Sequence, residues 1–264
     1  MSRVWAGLLT IFALTLCTPR ADASVLFSNT SNGLSASASF SISGTTLTIL
    51  LTNTDSATGT GAPKDPANTL SGLFFNLGSS AFVPVSAKLP NGSSIIQTEN
   101  CDANPCVGEK NVGGEFSYAY GGANWLAGTN QGIASSGYLN ANTSAGNFNG
   151  LNLDNPNALD GINFGIVPDG WVAGSGNGGL DSVALIEGAV KFVLTIPNGL
   201  KESDIKNVYF TYGTAPNEGT LGGTTSGTPS TTTTTTSGVP EPGMLSLLGV
   251  ALAGVGVRLR RRSA

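Results

Sequence analysis

The amino-acid sequence predicts an all-β fold for the central part of the chain, and three observations carry this prediction. Glycine is abundant (37 residues) and charged residues are scarce (11%), a composition that disfavours surface helices. Strict period-two alternation of apolar and polar residues occurs both early and late in the chain. Between these runs the chain is rich in Gly and Asn, which are turn residues.

The predicted strands follow in chain order. Residues 34–43 alternate small or apolar residues with serine, and residues 46–52 alternate threonine with apolar residues. Since Ser43-Gly44 can turn the chain between them, the two runs predict a β-hairpin. Further strands are predicted over 70–77, 81–88, 190–196 and 208–212. The spacing is typical of a β-sandwich, Ig-like or jelly-roll-like, spanning residues 24–219.

The N-terminus has the features of a secretory signal peptide, which we assign to residues 1–23. Arg3 precedes an apolar run over residues 4–16, too short for a membrane span. Ala21 and Ala23 form an A-x-A cleavage signal, so we expect the cut before Ser24. The sequence therefore predicts export by the Sec machinery.

Cys101 and Cys106 are the cysteines that remain after this cleavage. In an exported chain, two cysteines that frame four residues predict a structural disulfide. A metal role is disfavoured, because the sequence has no histidine and no second cysteine pair.

The C-terminal part predicts a linker and then a membrane segment. Residues 220–238 are rich in Gly, Thr and Ser, as in an extended spacer. The apolar run 244–257 predicts a single transmembrane helix, short for a permanent anchor. A positively charged cluster follows it and predicts a stop-transfer signal on the cytoplasmic side; its members are Arg258, Arg260, Arg261 and Arg262.

A proline-rich motif, Pro240-Glu241-Pro242, stands before this apolar run. With the run and the arginines it makes residues 239–262 resemble the PEP-CTERM sorting signal. The resemblance implies recognition by an exosortase, transient anchoring in the inner membrane and removal of the tail near the motif. It also implies a destination at the cell surface or in the extracellular matrix of a Gram-negative bacterium, with a link to exopolysaccharide and biofilm.

Charge and composition exclude several function classes. Residues 24–238 contain six lysines, no arginine and fourteen carboxylates, a net charge of −8. Such a domain is a poor partner for nucleic acid, which needs cations against its phosphates. The absence of histidine removes Ser-His-Asp and Cys-His catalysis. The sequence predicts a protein that is not an enzyme and has no cofactor.

Two kinds of acidic site stay open as alternatives. Asp154, Asp160, Asp169 and Asp181 lie in Gly/Asn-rich loops that either hold Ca²⁺ or form solvated turns. Carboxylate pairs for glycoside hydrolysis are available in Glu109 with Glu115 and in Asp169 with Glu187, although no spacing singles them out.

The aromatic residues leave a further alternative open. If Trp125 and Trp171 are exposed, they offer faces on which sugar rings stack, as in a carbohydrate-binding module. They fit equally well as core residues. Our first prediction is a surface or matrix protein with a structural or adhesive role linked to extracellular polysaccharide. A carbohydrate-binding module is the second prediction and a secreted hydrolase the third.

Overall fold

The computed structural model describes residues 23–56, 66–97, 110–121, 126, 128–135, 151–153, 162–172, 180, 183–213 and 218–225. They belong to a compact unit that ends at Thr231, and a second unit comprises Thr232–Ala264. Several predictions lie outside the described residues: the signal peptide up to residue 22, the disulfide Cys101–Cys106, Trp125, the linker beyond residue 225 and the sorting tail.

The described residues form fifteen strands and three single-turn 3-10 helices, and no α-helix occurs among them. The all-β prediction is thus confirmed. The strands are β1 (Ser24–Ser31), β2 (Leu34–Ser43), β3 (Thr46–Asn53), β4 (Leu70–Asn76), β5 (Val83–Lys88), β6 (Ser94–Ile96), β7 (Ser117–Tyr120), β8 (Gln131–Ala134), β9 (Leu151–Asn152), β10 (Ile166–Val167), β11 (Leu185–Glu187), β12 (Ala189–Thr195), β13 (Lys206–Tyr212), β14 (Gly219–Gly222) and β15 (Thr224–Thr225).

Two sheets contain all of these strands. The six-stranded sheet has the order β15-β1-β2-β3-β12-β5 and is antiparallel throughout. The nine-stranded sheet follows the path β6-β11-β10-β4-β8-β7-β9, with β13 also paired to β4 and β14 paired to β13. The predicted hairpin is confirmed as β2–β3, and the chain crosses from one sheet to the other between β4 and β5.

Local sequence explains the two hairpins at the start of the domain. Asn32 and Gly33 connect β1 to β2 with φ of 56° and 77°, the left-handed backbone of a type I′ turn. Gly44, with φ of 60°, begins the two-residue connection between β2 and β3. Both turns fix a register in which apolar side chains of neighbouring strands share one face.

One hydrophobic core lies between the facing sheets. Phe40 of β2 and Phe75 of β4 pack edge to face with ring centroids 5.2 Å apart, and Phe116 meets Phe192 of β12 at 5.0 Å. Asn53 Nδ2 donates a hydrogen bond of 2.9 Å to the carbonyl oxygen of Ile166 in the other sheet. These contacts join the six-stranded and nine-stranded sheets through their inner faces.

Strand β4 is buried on both of its faces, and its sequence reflects this. Leu73 and Phe75 point into the core between the sheets, whereas Phe74 packs with Ala134 and Tyr209 on the opposite side. A Cβ at Gly72 would lie 2.6 Å from the Oγ1 of Thr211, so only glycine allows this approach of β13 to β4. Burial on two sides explains why this strand lacks the alternation seen in β2 and β3.

Candidate functional site

The outer face of the six-stranded sheet is a regular surface formed by neighbouring antiparallel strands. In β2 and β3 most apolar residues alternate inward, where they are buried, so most serines and threonines, together with Leu50, point outward. Outward residues of β1, β12 and β5 continue the same surface. We call this surface, the exposed side of β1, β2, β3, β12 and β5, the lysine face.

The strand register arranges the lysine face in rows that cross the sheet. The first row consists of Ser24, Ser41, Thr48, Val193 and Ser86. The second row consists of Leu26, Ser39, Leu50, Lys191 and Lys88. Because neighbouring strands are about 4.8 Å apart, each row extends roughly 19 Å across the sheet. Most side chains in the two rows are short, and hydroxyl groups are frequent among them.

The charges on the lysine face have a single sign. None of the six strands of this sheet contains Asp or Glu, although the domain as a whole is acidic. Their charged residues are Lys88 and Lys191, which are exposed and lie directly opposite each other on β5 and β12. Like charges in opposed positions destabilise a sheet by some tenths of a kcal/mol. The pair therefore creates a local positive site that folding does not favour.

The β5 side of the sheet carries features that block edge-to-edge association. Pro84 removes one backbone donor, and the pairing with β12 shifts register between Val193 and Leu194. Val83 and Val85 are 61% and 53% exposed at this edge. Near the end of β5, Leu89 N donates to the carbonyl oxygen of Lys110 at 2.8 Å, which brings the backbone of a third lysine to the same border.

The structure places Trp171 inside the molecule. It is only 5% exposed and packs with Ile162, Val167, Leu180 and Leu185 in a small cluster of its own. Of the two interpretations left open for this residue, core packing agrees with its position, and its ring does not offer a free stacking face. Trp125 lies outside the described residues.

In the predicted carboxylate pair Asp169 and Glu187, the Glu187 carboxylate stabilises a turn. The Gly170 N–H donates to Glu187 Oε1 at 2.6 Å, and the Ser94 hydroxyl donates to Oε2 at 3.3 Å. Glu187 thus holds the turn that contains Asp169. Among the residues that the structure describes, no three Asp, Glu or Cys side chains come together as a metal site would require. Glu115 is described, whereas Glu109, Asp154, Asp160 and Asp181 lie outside those residues.

A buried polar clamp, which the sequence did not reveal, fixes one of the connections between the sheets. The Tyr118 hydroxyl donates to Gln131 Oε1 at 2.6 Å and accepts from the Phe82 N–H at 2.6 Å. Gln131 Nε2 donates to the carbonyl oxygens of Leu77 at 2.7 Å and Ser80 at 3.2 Å. The clamp ties the β4–β5 connection to β7 and β8. Its role is structural, because both side chains are buried and fully engaged.

Burial changes the ionisation of two tyrosines in this domain. It raises the pKa of Tyr118 to about 12, against the opposing effect of the Phe82 N–H. Burial, and secondarily the Asp55 carboxylate, raise the pKa of Tyr212 well above its usual range. The Tyr212 hydroxyl has no hydrogen-bond partner among the described residues.

We expect the protein to lose stability at alkaline pH. An unfolded tyrosine ionises near pH 10, whereas folded Tyr118 keeps its proton until about pH 12. The contribution of Tyr118 is fully present below pH 10, and roughly 2–3 kcal/mol of unfolding free energy should be lost between pH 10 and pH 12. Urea unfolding at pH 8, 10 and 11 measures the first part of this loss.

Two phenylalanine variants serve as controls for the alkaline loss. Tyr212→Phe should keep or gain stability at pH 8, because it removes a buried hydroxyl without a partner. Tyr118→Phe should lose about 1–3 kcal/mol at pH 8, because it removes a paired hydroxyl. Between pH 10 and pH 11, the free energy of unfolding should fall less in both variants than in the wild type. Equal losses in all three proteins would contradict the assignment.

Comparison with known proteins adds one match, at the C-terminus. Residues 238–262 match the family model of the PEP-CTERM protein-sorting motif. Comparison with the curated proteins and with the solved structures gave no match. Among the described residues no helix has the length and apolar character needed to cross a membrane, and the predicted sorting helix lies outside them.

The matched segment begins one residue before the predicted one and includes Pro240-Glu241-Pro242 together with the four arginines. This match confirms the resemblance derived from the sequence. The chain therefore carries a C-terminal PEP-CTERM protein-sorting motif, which supports an exported protein targeted to an exosortase.

Proposed function

We propose that the mature protein is a non-enzymatic surface or matrix protein with a structural or adhesive role linked to extracellular polysaccharide. In this proposal the two facing sheets constitute a β-sandwich ectodomain, and the Gly/Thr/Ser-rich linker separates it from the membrane. The tail anchors the precursor briefly in the inner membrane of a Gram-negative bacterium, until the exosortase removes it.

One structural observation supports the adhesive role. The lysine face presents partly exposed hydroxyl groups and exposed apolar and cationic side chains on five strands, with no carboxylate in any strand of its sheet. An open sheet face of this kind suits contact with an extended partner and lacks the enclosed shape of a small-molecule pocket. The sorting motif supports a location where such partners are external.

We expect replacement of the sorting motif to trap the protein in the membrane. In a variant with Pro240→Ala, Glu241→Ala and Pro242→Ala, the exosortase loses the segment that it is proposed to recognise, while the apolar run and arginines remain. Fractionation of the native bacterium, with intact mass of the recovered chain, measures the effect. The wild type should begin at Ser24 and end near Pro240, outside the inner membrane.

A variant with Lys201→Gln serves as the control, because this exposed lysine lies far from the motif in sequence. It should be processed like the wild type. If the wild-type chain retains residues 239–264 in the inner membrane, the tail is a permanent anchor and the proposed surface role fails.

A further inference from the structure

The opposed lysines of the lysine face indicate what this surface binds. Lys88 and Lys191 are direct partners across β5 and β12, and no Asp or Glu in any of the six strands neutralises them. Lysine on an edge strand is a common protection against aggregation, and this accounts for Lys88. It does not account for Lys191, because β12 lies inside the sheet between β3 and β5.

An anion placed between the two ammonium groups would remove their repulsion. Both lysines are exposed, and no ion pair to either is found among the described residues. The rest of residues 24–238 is strongly acidic, with a net charge of −8, so anions are repelled from most of the domain. The lysine face is therefore the place where charge complementarity favours a negatively charged partner.

The neighbouring side chains narrow the chemistry of that partner. Ser39, Ser41 and Thr48 belong to the same two rows as the lysines, on β2 and β3, and each hydroxyl can both donate and accept a hydrogen bond. Leu26 and Leu50 are exposed in the lysine row and offer apolar contact. A sugar ring presents hydroxyl groups at its rim and apolar C–H groups on its faces, so these side chains complement it.

We propose that the lysine face binds an extended acidic polysaccharide, with carboxylate groups of uronic acid residues at Lys88 and Lys191 and neighbouring sugars over the hydroxyl rows. This inference rests on the proposed function, since it names the partner of the proposed adhesive surface. Nucleic acid fits less well, because a typical complex uses about 6–10 phosphate contacts and this face has two opposed lysines.

The test compares one polymer in two charge states. The protein exported and processed by its own bacterium is bound to immobilised polygalacturonate and to the same polymer after complete methyl esterification, which removes the carboxylate charge. We expect binding to the acidic polymer only, and we expect added salt to weaken it because exposed charge pairs are screened. Equal binding to both polymers would overturn the role of charge.

The variants locate the binding surface. Lys88→Gln combined with Lys191→Gln should weaken binding about tenfold, as expected for the loss of two exposed charge contacts. Thr48→Val, which removes a hydroxyl from the first row and keeps the side-chain shape, should weaken it about threefold. Lys206→Gln is the matched control, because Lys206 is exposed on β13 of the other sheet, and its affinity should stay within about twofold of the wild type.

Three results would overturn the inference: no binding of the wild type to polygalacturonate, unchanged binding of the double variant, or an equal loss in Lys206→Gln. The alternative occupant of the lysine face is a second copy of this chain. Size-exclusion chromatography of the same samples would then show a dimer in the wild type and a monomer in the double variant. Labelling of intact cells separates the two proposals. Surface-exposed protein that does not bind the polymer refutes only this inference, whereas protein retained uncut in the membrane refutes the proposed function.

Discussion

Replacement of Phe40 by alanine is expected to lower the free energy of unfolding by about 3–5 kcal/mol. Phe40 is fully buried on β2 and packs edge to face against Phe27 at 5.7 Å and Phe75 at 5.2 Å. Phe75 belongs to the other sheet, so the substitution opens a cavity where the two sheets meet. Denaturant unfolding followed by tryptophan fluorescence measures the change.

Leu50→Ala is the matched control for this prediction. Leu50 occupies the neighbouring strand β3 but points to the outer face, where it is 37% exposed. Removing its side chain leaves no internal cavity, and we expect a loss below about 1 kcal/mol. A comparable loss in the two variants would mean that the inner face of this sheet does not form the core.

Replacement of Gln131 by leucine is expected to destabilise the protein by about 3–4 kcal/mol. The new side chain resembles glutamine in size, so the effect reports hydrogen bonds and not a cavity. The Tyr118 hydroxyl loses its acceptor, and the buried carbonyl oxygen of Leu77 and the partly buried one of Ser80 lose their donor. The same unfolding measurement applies, at neutral pH where Tyr118 is protonated.

A double-mutant cycle tests whether Gln131 and Tyr118 act as one clamp. Tyr118→Phe alone should cost about 1–3 kcal/mol, and the combination with Gln131→Leu should cost less than the sum of the single changes. Strict additivity would show that the two side chains contribute independently. The result matters for the fold, because the clamp holds the β4–β5 connection, one of those through which the chain passes from one sheet to the other.

The amino-acid sequence determined the features that depend on local patterns. The alternation over residues 34–43 and 46–52 predicted β2, β3 and their hairpin, since side chains on successive strand residues point to opposite faces. The later alternation predicted β12 and β13 in the same way. The sorting motif was readable because it is a linear signal whose parts follow one another in the chain.

Strand β1 was missed, although the sequence contained a signal for it. Only Val25 and Phe27 alternate clearly before the polar residues begin, which is too short a pattern to recognise. The Asn32-Gly33 pair was the available signal, because these two residues favour the type I′ turn of a two-residue hairpin. Its position before the recognised strand β2 indicates a partner strand upstream.

Tertiary structure alone decided which distant residues meet. Lys88 and Lys191 are far apart in sequence and become opposed only when β5 pairs with β12. Trp171 is buried because its cluster forms around β10 and β11, and no local pattern fixes that burial. Alternation specifies which face a residue occupies within its strand, but the neighbour on that face depends on long-range pairing. For this reason the sequence predicted the strands and the sorting of this protein, while the composition of the lysine face came from the fold.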